Sequence, residues 1–248
     1  MSTDSAEKRQ ELNKFLNKNI NFKYEPSYQK LFTGWDPKVF DYHHIDEIKP
    51  PILKINFLER IPHQEMLNEA LNLLDYFYTH RKDSYKWKAL TLYGLSHSHT
   101  GIISEYGYEE TDENYKKYCT YTDICRNFCP VTHNFLKETL KFDLYTRVRF
   151  MLLEPGGYIA PHRDKDFYGF GSTNLVLSQP DGCDFHVGEI GKLPLKPGDL
   201  FFFDNGYEHA VTNNSDKPRV HMIIHGNTNQ KYWHNIVVNS LKKACRDS

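Results

Sequence analysis

The stretch "PGGYIAPHRD" puts His162 and Asp164 one residue apart, and an imidazole and a carboxylate at that spacing can share one divalent metal ion. On an extended strand, residues i and i+2 leave the same face, so both side chains point the same way. A third ligand must then come from another strand, and His209 in "FFFDNGYEHAVTNN", just past an Asn-Gly turn, is placed to supply it. Two imidazoles and a carboxylate make the facial triad of non-haem Fe(II) oxygenases, which leaves three coordination positions open for a cosubstrate and O2. Ten residues beyond His209 stands Arg219, in "KPRVHMIIHG". Its planar fork binds both oxygens of a carboxylate and keeps its charge when buried, as the C5 carboxylate of 2-oxoglutarate would require.

Each assignment competes with a plainer one. Chance polar residues facing a core would each cost a few kcal/mol, roughly 1–3 on mutational scales, so a ligand role is favoured for His162, Asp164 and His209. Arg219 could instead pair with Asp216 at the surface. His221 and His225 alternate with Arg219, so they either line a pocket or are satisfied core histidines. Arg147 and Arg149 in "YTRVRFMLL" share a strand face, and Arg149 is the candidate contact for a substrate carboxylate, against an outward ion pair. A second His-x-Asp, His44 and Asp46, sits in an irregular polar region without a partner ligand. His97 and His99 read as solvated loop histidines. Glu105, Glu109, Glu110, Asp112 and Glu113 form an acidic cluster that could attract a basic substrate but suits an ordinary solvated loop. Trp87 and Tyr93 read as core aromatics.

Two kinds of element must position these groups. Apolar residues at Met66, Leu67, Ala70, Leu71, Leu74 and Phe77 follow a 3.6-residue rhythm, which predicts an amphipathic helix across "IPHQEMLNEALNLLDYFYTHR". A second helix is expected over "THNFLKETLKF". Between them "WKALTLYGLS" reads as a strand, followed by a long Tyr- and acid-rich insertion, residues 96–122, that is a candidate lid. From 145 onward, short β-type runs separated by Gly, Pro, Asn and Asp predict a mainly β fold with flanking helices, a double-stranded β-helix or jelly roll of cupin type. One domain over 1–248 is expected, with an N-terminal extension (1–60), a motif-bearing jelly-roll core (145–227) and a C-terminal helical segment (228–248).

The chain's 31 Lys+Arg balance 32 Asp+Glu, leaving a net charge of -1 and no basic block for a phosphate backbone, so nucleic acid is not expected as a partner. No apolar run approaches membrane-spanning length, and the N-terminus lacks the apolar stretch of a signal peptide, which implies a cytoplasmic protein with no membrane partner. The 5 cysteines are odd in number and match no zinc spacing, so they read as ordinary thiols. Oligomeric state is not readable.

"GGYIAPHRD" together with "LFFFDNGYEHAVTNNSDKPRVHMIIH" resembles the aspartyl/asparaginyl β-hydroxylase family of Fe(II)/2-oxoglutarate-dependent oxygenases, which includes bacterial proline and other free-amino-acid hydroxylases. The resemblance covers about residues 145–227. It implies that His162, Asp164 and His209 ligate Fe(II) and that Arg219 grips 2-oxoglutarate. The implied reaction hydroxylates an amino acid, or an amino-acid side chain in a peptide or protein, coupled to conversion of 2-oxoglutarate and O2 to succinate and CO2. Where many members carry an Arg-x-His after the first metal pair, this chain reads "STNLVLS", with Ser172 and Asn174 as the cosubstrate-binding candidates. Arg149 and His221 are the substrate-binding candidates. The rival class is a non-oxidative, cupin-type metal-binding protein, either a hydrolase or a small-ligand binding module; a catalytically silent partner-binding relative is a third.

Overall fold

A computed structural model describes residues 3–24, 52–81, 84–164, 170–228 and 230–247; the His44/Asp46 pair lies outside them. In chain order the elements are α1 (Thr3–Asn19), β1 (Ile52–Lys54), α2 (His63–Leu71), a 3-10 turn (Leu74–Tyr76), β2 (Tyr78–Thr79), β3 (Tyr85–Gly94), a second 3-10 turn (Ile103–Tyr106), α3 (Asp112–Tyr118), β4 (Thr120–Tyr121), α4 (Asp123–Phe128) and α5 (Pro130–Asn134), which runs on as a π turn (Phe135–Thr139). Then come β5 (Phe142–His162), β6 (Phe170–Ser178), β7 (Cys183–Val187), β8 (Gly191–Lys192), β9 (Leu200–Asp204), β10 (His209–Asn213), β11 (Arg219–Thr228) and α6 (Gln230–Asp247).

The fold is a jelly roll with flanking helices, and β5 turns its corner. Residues 142–153 of β5 pair antiparallel with β11, whereas Tyr158, Ile159 and His162 pair with β10. One sheet therefore runs β1, β9, β6, β11 and the first half of β5, with β3 on its far side; the other joins the second half of β5 to β10, β7 and β8. Where short separate β-type runs were expected from 145 onward, residues 142–162 form one strand bent at Glu154–Gly157. Across that bend β3 advances from Tyr85 to Trp87 while β5 advances from Tyr158 back to Leu153. The excess bulges out, with Gly156 at φ 73° and Lys86 opposite at φ 58°.

Period-2 alternation sorts β5 between two environments. Val148, Phe150 and Leu152 join the core under α2, α4, α5 and α6, where Trp233 is buried. Arg147, Arg149 and Met151 face the space between the sheets. On the second sheet Leu12 and Phe15 of α1 pack over Tyr158, Ala160 and Ala210, directly behind the two histidine-bearing strand ends.

A second sequence expectation changes. The long amphipathic helix ends at Leu71, and the aromatic, β-branched run after it favours an extended chain, so Tyr78 and Thr79 pair with Ala89 and Lys88. That brings His80 and Arg81 out of a strand and into the inter-sheet space. The 96–122 insertion, expected as a candidate lid, holds the second 3-10 turn, α3 and β4. The cap was readable in "TDENYKK". Thr111 accepts from Asn114 N at 3.2 Å, with Asp112 and Glu113 in the first turn and Lys116 and Lys117 in the last.

Candidate metal centre

His162 ends β5 and His209 begins β10, and the two are register partners across the second sheet. Their rings lie 4.3 Å apart, centroid to centroid, and His162 Nε2 is 3.5 Å from Asp164 Oδ1. One ligand atom from each of His162, Asp164 and His209 falls within 4.8 Å of the others.

The hydrogen bonds behind the rings settle which nitrogens are free. His162 Nδ1 lies 2.8 Å from the Ala160 carbonyl oxygen, and His209 Nδ1 lies 3.0 Å from that of Tyr207. A carbonyl only accepts, so each Nδ1 carries the hydrogen and each Nε2 keeps its lone pair for the centre, the arrangement metal-ligating histidines require. Phe203 and Phe185 pack against the His209 ring. Burial, reinforced by His162, pushes its pKa down to about 4, so the ring is neutral and able to ligate at neutral pH. Burial alone would raise the pKa of Asp164, but the neighbouring His162 and His209 and the Asn205 amide hold it well below the usual carboxylate range. Asn205 Nδ2 donates to Oδ2 at 3.1 Å, leaving Oδ1 toward the imidazoles. The donor set, its tautomers and its charge fit a divalent metal.

The three groups open onto a cavity of about 430 Å³ between the sheets. Arg219 lines it and is 4 % exposed. Its Nη2 donates to His221 Nδ1 at 2.8 Å, and Gln179 Oε1 lies 3.4 Å from its Nε and 3.1 Å from His221 Nε2. Burial lowers its pKa to about 10, so the guanidinium is charged at neutral pH. Among the described residues no carboxylate pairs with it, and the alternative partner Asp216 does not. A carboxylate-bearing cosubstrate fits there. Ser172 and Asn174 also line the cavity, with Asn174 Nδ2 donating to the Ser172 carbonyl at 2.9 Å.

His221, offered as a substrate contact, is not among the cavity-lining residues. Its two nitrogens are occupied by Arg219 and Gln179, so it orients the arginine from behind. His225 and Arg149 do line the cavity, and Trp87, expected to be a core ring, is buried in the core with Ala89 and Met151 and also forms part of the cavity wall. Tyr93 packs against Tyr121 and Tyr145 instead. Sequence reasoning missed His80, Arg81 and Asn205; a helix assigned too long hid the first two, and no periodicity marks an outer-shell amide. Cys119, Cys125, Cys129 and Cys183 are buried free thiols.

A jelly roll whose inner strands bring two histidines and an aspartate to one point, beside a buried arginine, defines the class of Fe(II)/2-oxoglutarate oxygenases. The profile of the family described as aspartyl/asparaginyl beta-hydroxylase matches residues 62–228, well over half of the chain, and the chain belongs to that family. It is thus a 2-oxoglutarate-dependent oxygenase, working with Fe(II), 2-oxoglutarate and O2, which sets aside the non-oxidative cupin and silent-relative readings. Among solved structures it is similar to a 2OG-Fe(II) oxygenase family oxidoreductase from Burkholderia pseudomallei (12% identity, 76% of this chain and 91% of that one, TM-score 0.45). It is also similar to a Pseudomonas putida prolyl-4-hydroxylase (13% identity, 75% and 98%, TM-score 0.40). No curated protein matches the chain. None of the helices among the described residues is long and apolar enough to cross a membrane.

Proposed function

We propose that His162, Asp164 and His209 hold Fe(II), that Arg219 grips the C5 carboxylate of 2-oxoglutarate, and that the enzyme hydroxylates an amino acid or an amino-acid side chain. In the coupled reaction substrate R–H, O2 and 2-oxoglutarate give R–OH, succinate and CO2. When bound, the iron with its cosubstrate supplies the oxidant. The chain's own residues do the positioning. Ala160 and Tyr207 carbonyls fix the two imidazole tautomers. Asn205 aims the Asp164 carboxylate, and His221 with Gln179 holds the Arg219 fork flat in its slot. Asn174 and Ser172 form the neighbouring wall for the cosubstrate. Phe185 and Phe203 keep water from the back of His209.

The observation that carries this reading is the convergence of three ligand atoms with both Nε2 lone pairs free, beside a buried arginine that has no carboxylate partner among the described residues. Anaerobic titration of the Fe(II)-loaded protein with 2-oxoglutarate should produce the weak visible charge-transfer band of the chelate. Arg219→Ala should raise the 2-oxoglutarate concentration for half-formation at least ten-fold with iron still bound. A His162→Ala protein that still decarboxylates 2-oxoglutarate would sink the assignment.

A further inference from the structure

The centre stands where the chain crosses between the sheets, and one short turn makes that crossing. β9 ends at Asp204 in the first sheet and β10 begins at His209 in the second, so residues 205–208 alone pass between them. Tyr207 N donates to the Asp204 carbonyl at 3.2 Å, which closes a β-turn over Asp204–Tyr207. The Asp204 side chain closes it a second time, because its Oδ1 accepts from Gly206 N at 2.9 Å. Three bonds then run from this turn to the end of β5. The Asn205 carbonyl accepts from Asp164 N at 3.0 Å, Asn205 Nδ2 donates to Asp164 Oδ2 at 3.1 Å, and the Gly206 carbonyl accepts from Arg163 Nη1 at 2.7 Å. A fourth bond reaches the next strand, where the Tyr207 carbonyl takes the His209 Nδ1 hydrogen at 3.0 Å. Consecutive residues of one turn thus aim both Asp164 and His209, whereas His162 is held by Ala160 of its own strand.

Asp204 is an unusual residue to find in that place. It is 1 % exposed, forms no ion pair among the described residues, and its Oδ2 is buried without a hydrogen-bond partner. A carboxylate so placed loses its hydration and recovers it at one oxygen only, which costs stability. What it gains there is the bond to Gly206 N. That bond sits one residue from Asn205 on one side and one from Tyr207 on the other, so a turn that relaxed would move both holders of the ligands together. Arg163 completes the frame from outside: it lies between His162 and Asp164 in the chain, is exposed, and reaches back to the turn.

Resting on the metal ligands proposed above, we infer that Asp204 and Arg163 are positioning residues of the iron centre: Asp204 sets the Asp204–Tyr207 turn from within, Arg163 ties it to the end of β5, and neither is a ligand. The part of Asp204 that acts is one acceptor oxygen, since Oδ2 meets no donor. An asparagine offers the same oxygen to Gly206 N and carries no charge, whereas an alanine offers nothing. The test measures Fe(II) affinity without O2, by competition with a chromogenic chelator, in the parent, Asp204→Asn, Asp204→Ala and Arg163→Met. Each protein is then saturated with Fe(II) and titrated with 2-oxoglutarate, and the urea midpoint of each metal-free protein is recorded.

Asp204→Ala is expected to weaken Fe(II) binding by about ten-fold or more and Arg163→Met by about three-fold or more, the scale on which groups that orient a metal ligand act. Asp204→Asn should stay within about two-fold of the parent, as the retained acceptor oxygen requires. Half-formation of the charge-transfer band should need the same 2-oxoglutarate in all four, because Arg219 stands on β11, outside the turn. A residue that served the fold alone would lower the urea midpoint and leave Fe(II) affinity where it was; that result in Asp204→Ala or Arg163→Met overturns the inference. So does an Asp204→Asn protein as weak as Asp204→Ala, which would assign the effect to the charge. Should Asp204→Ala not fold, the exposed Arg163 carries the test. A parent protein that binds no Fe(II) strikes the ligand assignment itself and not the turn.

Discussion

Asn205 sits behind Asp164 as the carbonyls of Ala160 and Tyr207 sit behind the histidines, but it is a side chain and can be removed. Asn205→Ala should lower metal affinity about ten- to a hundred-fold, the usual cost of deleting a group that orients a ligand. Competition between Fe(II) and a chromogenic chelator measures it, and unchanged affinity would show that Asp164 needs no holder. The candidate ligands stood out in the sequence because their chemistry is rare at that spacing and order. Asn205 did not, because its job depends on a 3.1 Å approach across a turn that no spacing encodes. His221 shows the opposite limit. Alternation placed it correctly on the face of Arg219, yet its hydrogen bonds, not its face, decide that it stands behind the cavity.

Two contacts hold the elements that carry the site. Glu69 of α2 accepts from Val131 N at 2.7 Å, Thr132 N at 3.0 Å and the Thr132 hydroxyl at 2.6 Å, so a side chain distant in sequence caps α5. Glu69→Ala should cost about 1–2 kcal/mol, as a lost helix cap does, read as a lower midpoint in urea. Gly157 is the tighter constraint. A Cβ there would meet the Glu154 carbonyl at 2.8 Å and the Tyr85 carbonyl at 3.0 Å, both backbone atoms. Gly157→Ala should therefore lower both thermal stability and Fe(II) affinity, since the strand end beyond it holds His162 and Asp164; a purely thermal effect would mean that the bend and the centre are not coupled. Helix and strand types were readable from rhythm and punctuation. Where the α2 rhythm stopped was not, because Leu74 and Phe77 continue the apolar pattern by a different route, through a 3-10 turn into β2.

Across the molecule, burial leaves several histidines neutral at once. His209 is held down to about 4 and His80 to about 2, and His221 and His225 are lowered as well. The unfolded chain takes up protons at these positions below about pH 6.5, whereas the folded chain does not until far lower pH. Stability from these groups is thus complete above pH 6.5 and falls with acidification, by about 1.4 kcal/mol per pH unit for each. Metal-free protein should show a steep loss of melting temperature between pH 7 and pH 5; a flat profile would mean that the rings are protonated in the fold. The jelly roll itself was foreseeable from many short strands with turn residues between them. The passage of β5 from one sheet to the other was not, since "EPGG" reads as a turn that ends a strand and not as a bulge within one.

That passage also sets a rule for chain length. Surface turns generally tolerate inserted residues, because each added residue costs little closure entropy. The Glu154–Gly157 corner looks like such a turn, with Gly156 exposed and Lys86 and Lys88 gripping Pro155 and Glu154 from β3. Yet beyond it β5 is registered against β10, with a bulge between Ile159 and His162, so one added residue that slipped into the strand would move His162 out of register with His209. Arg147 and Arg149, on the near side, would stay where they are. The corner fixes the length of chain between the two halves of one strand, and gene variants with a codon added there should keep the first sheet and lose Fe(II) affinity, as competition with a chelator would measure.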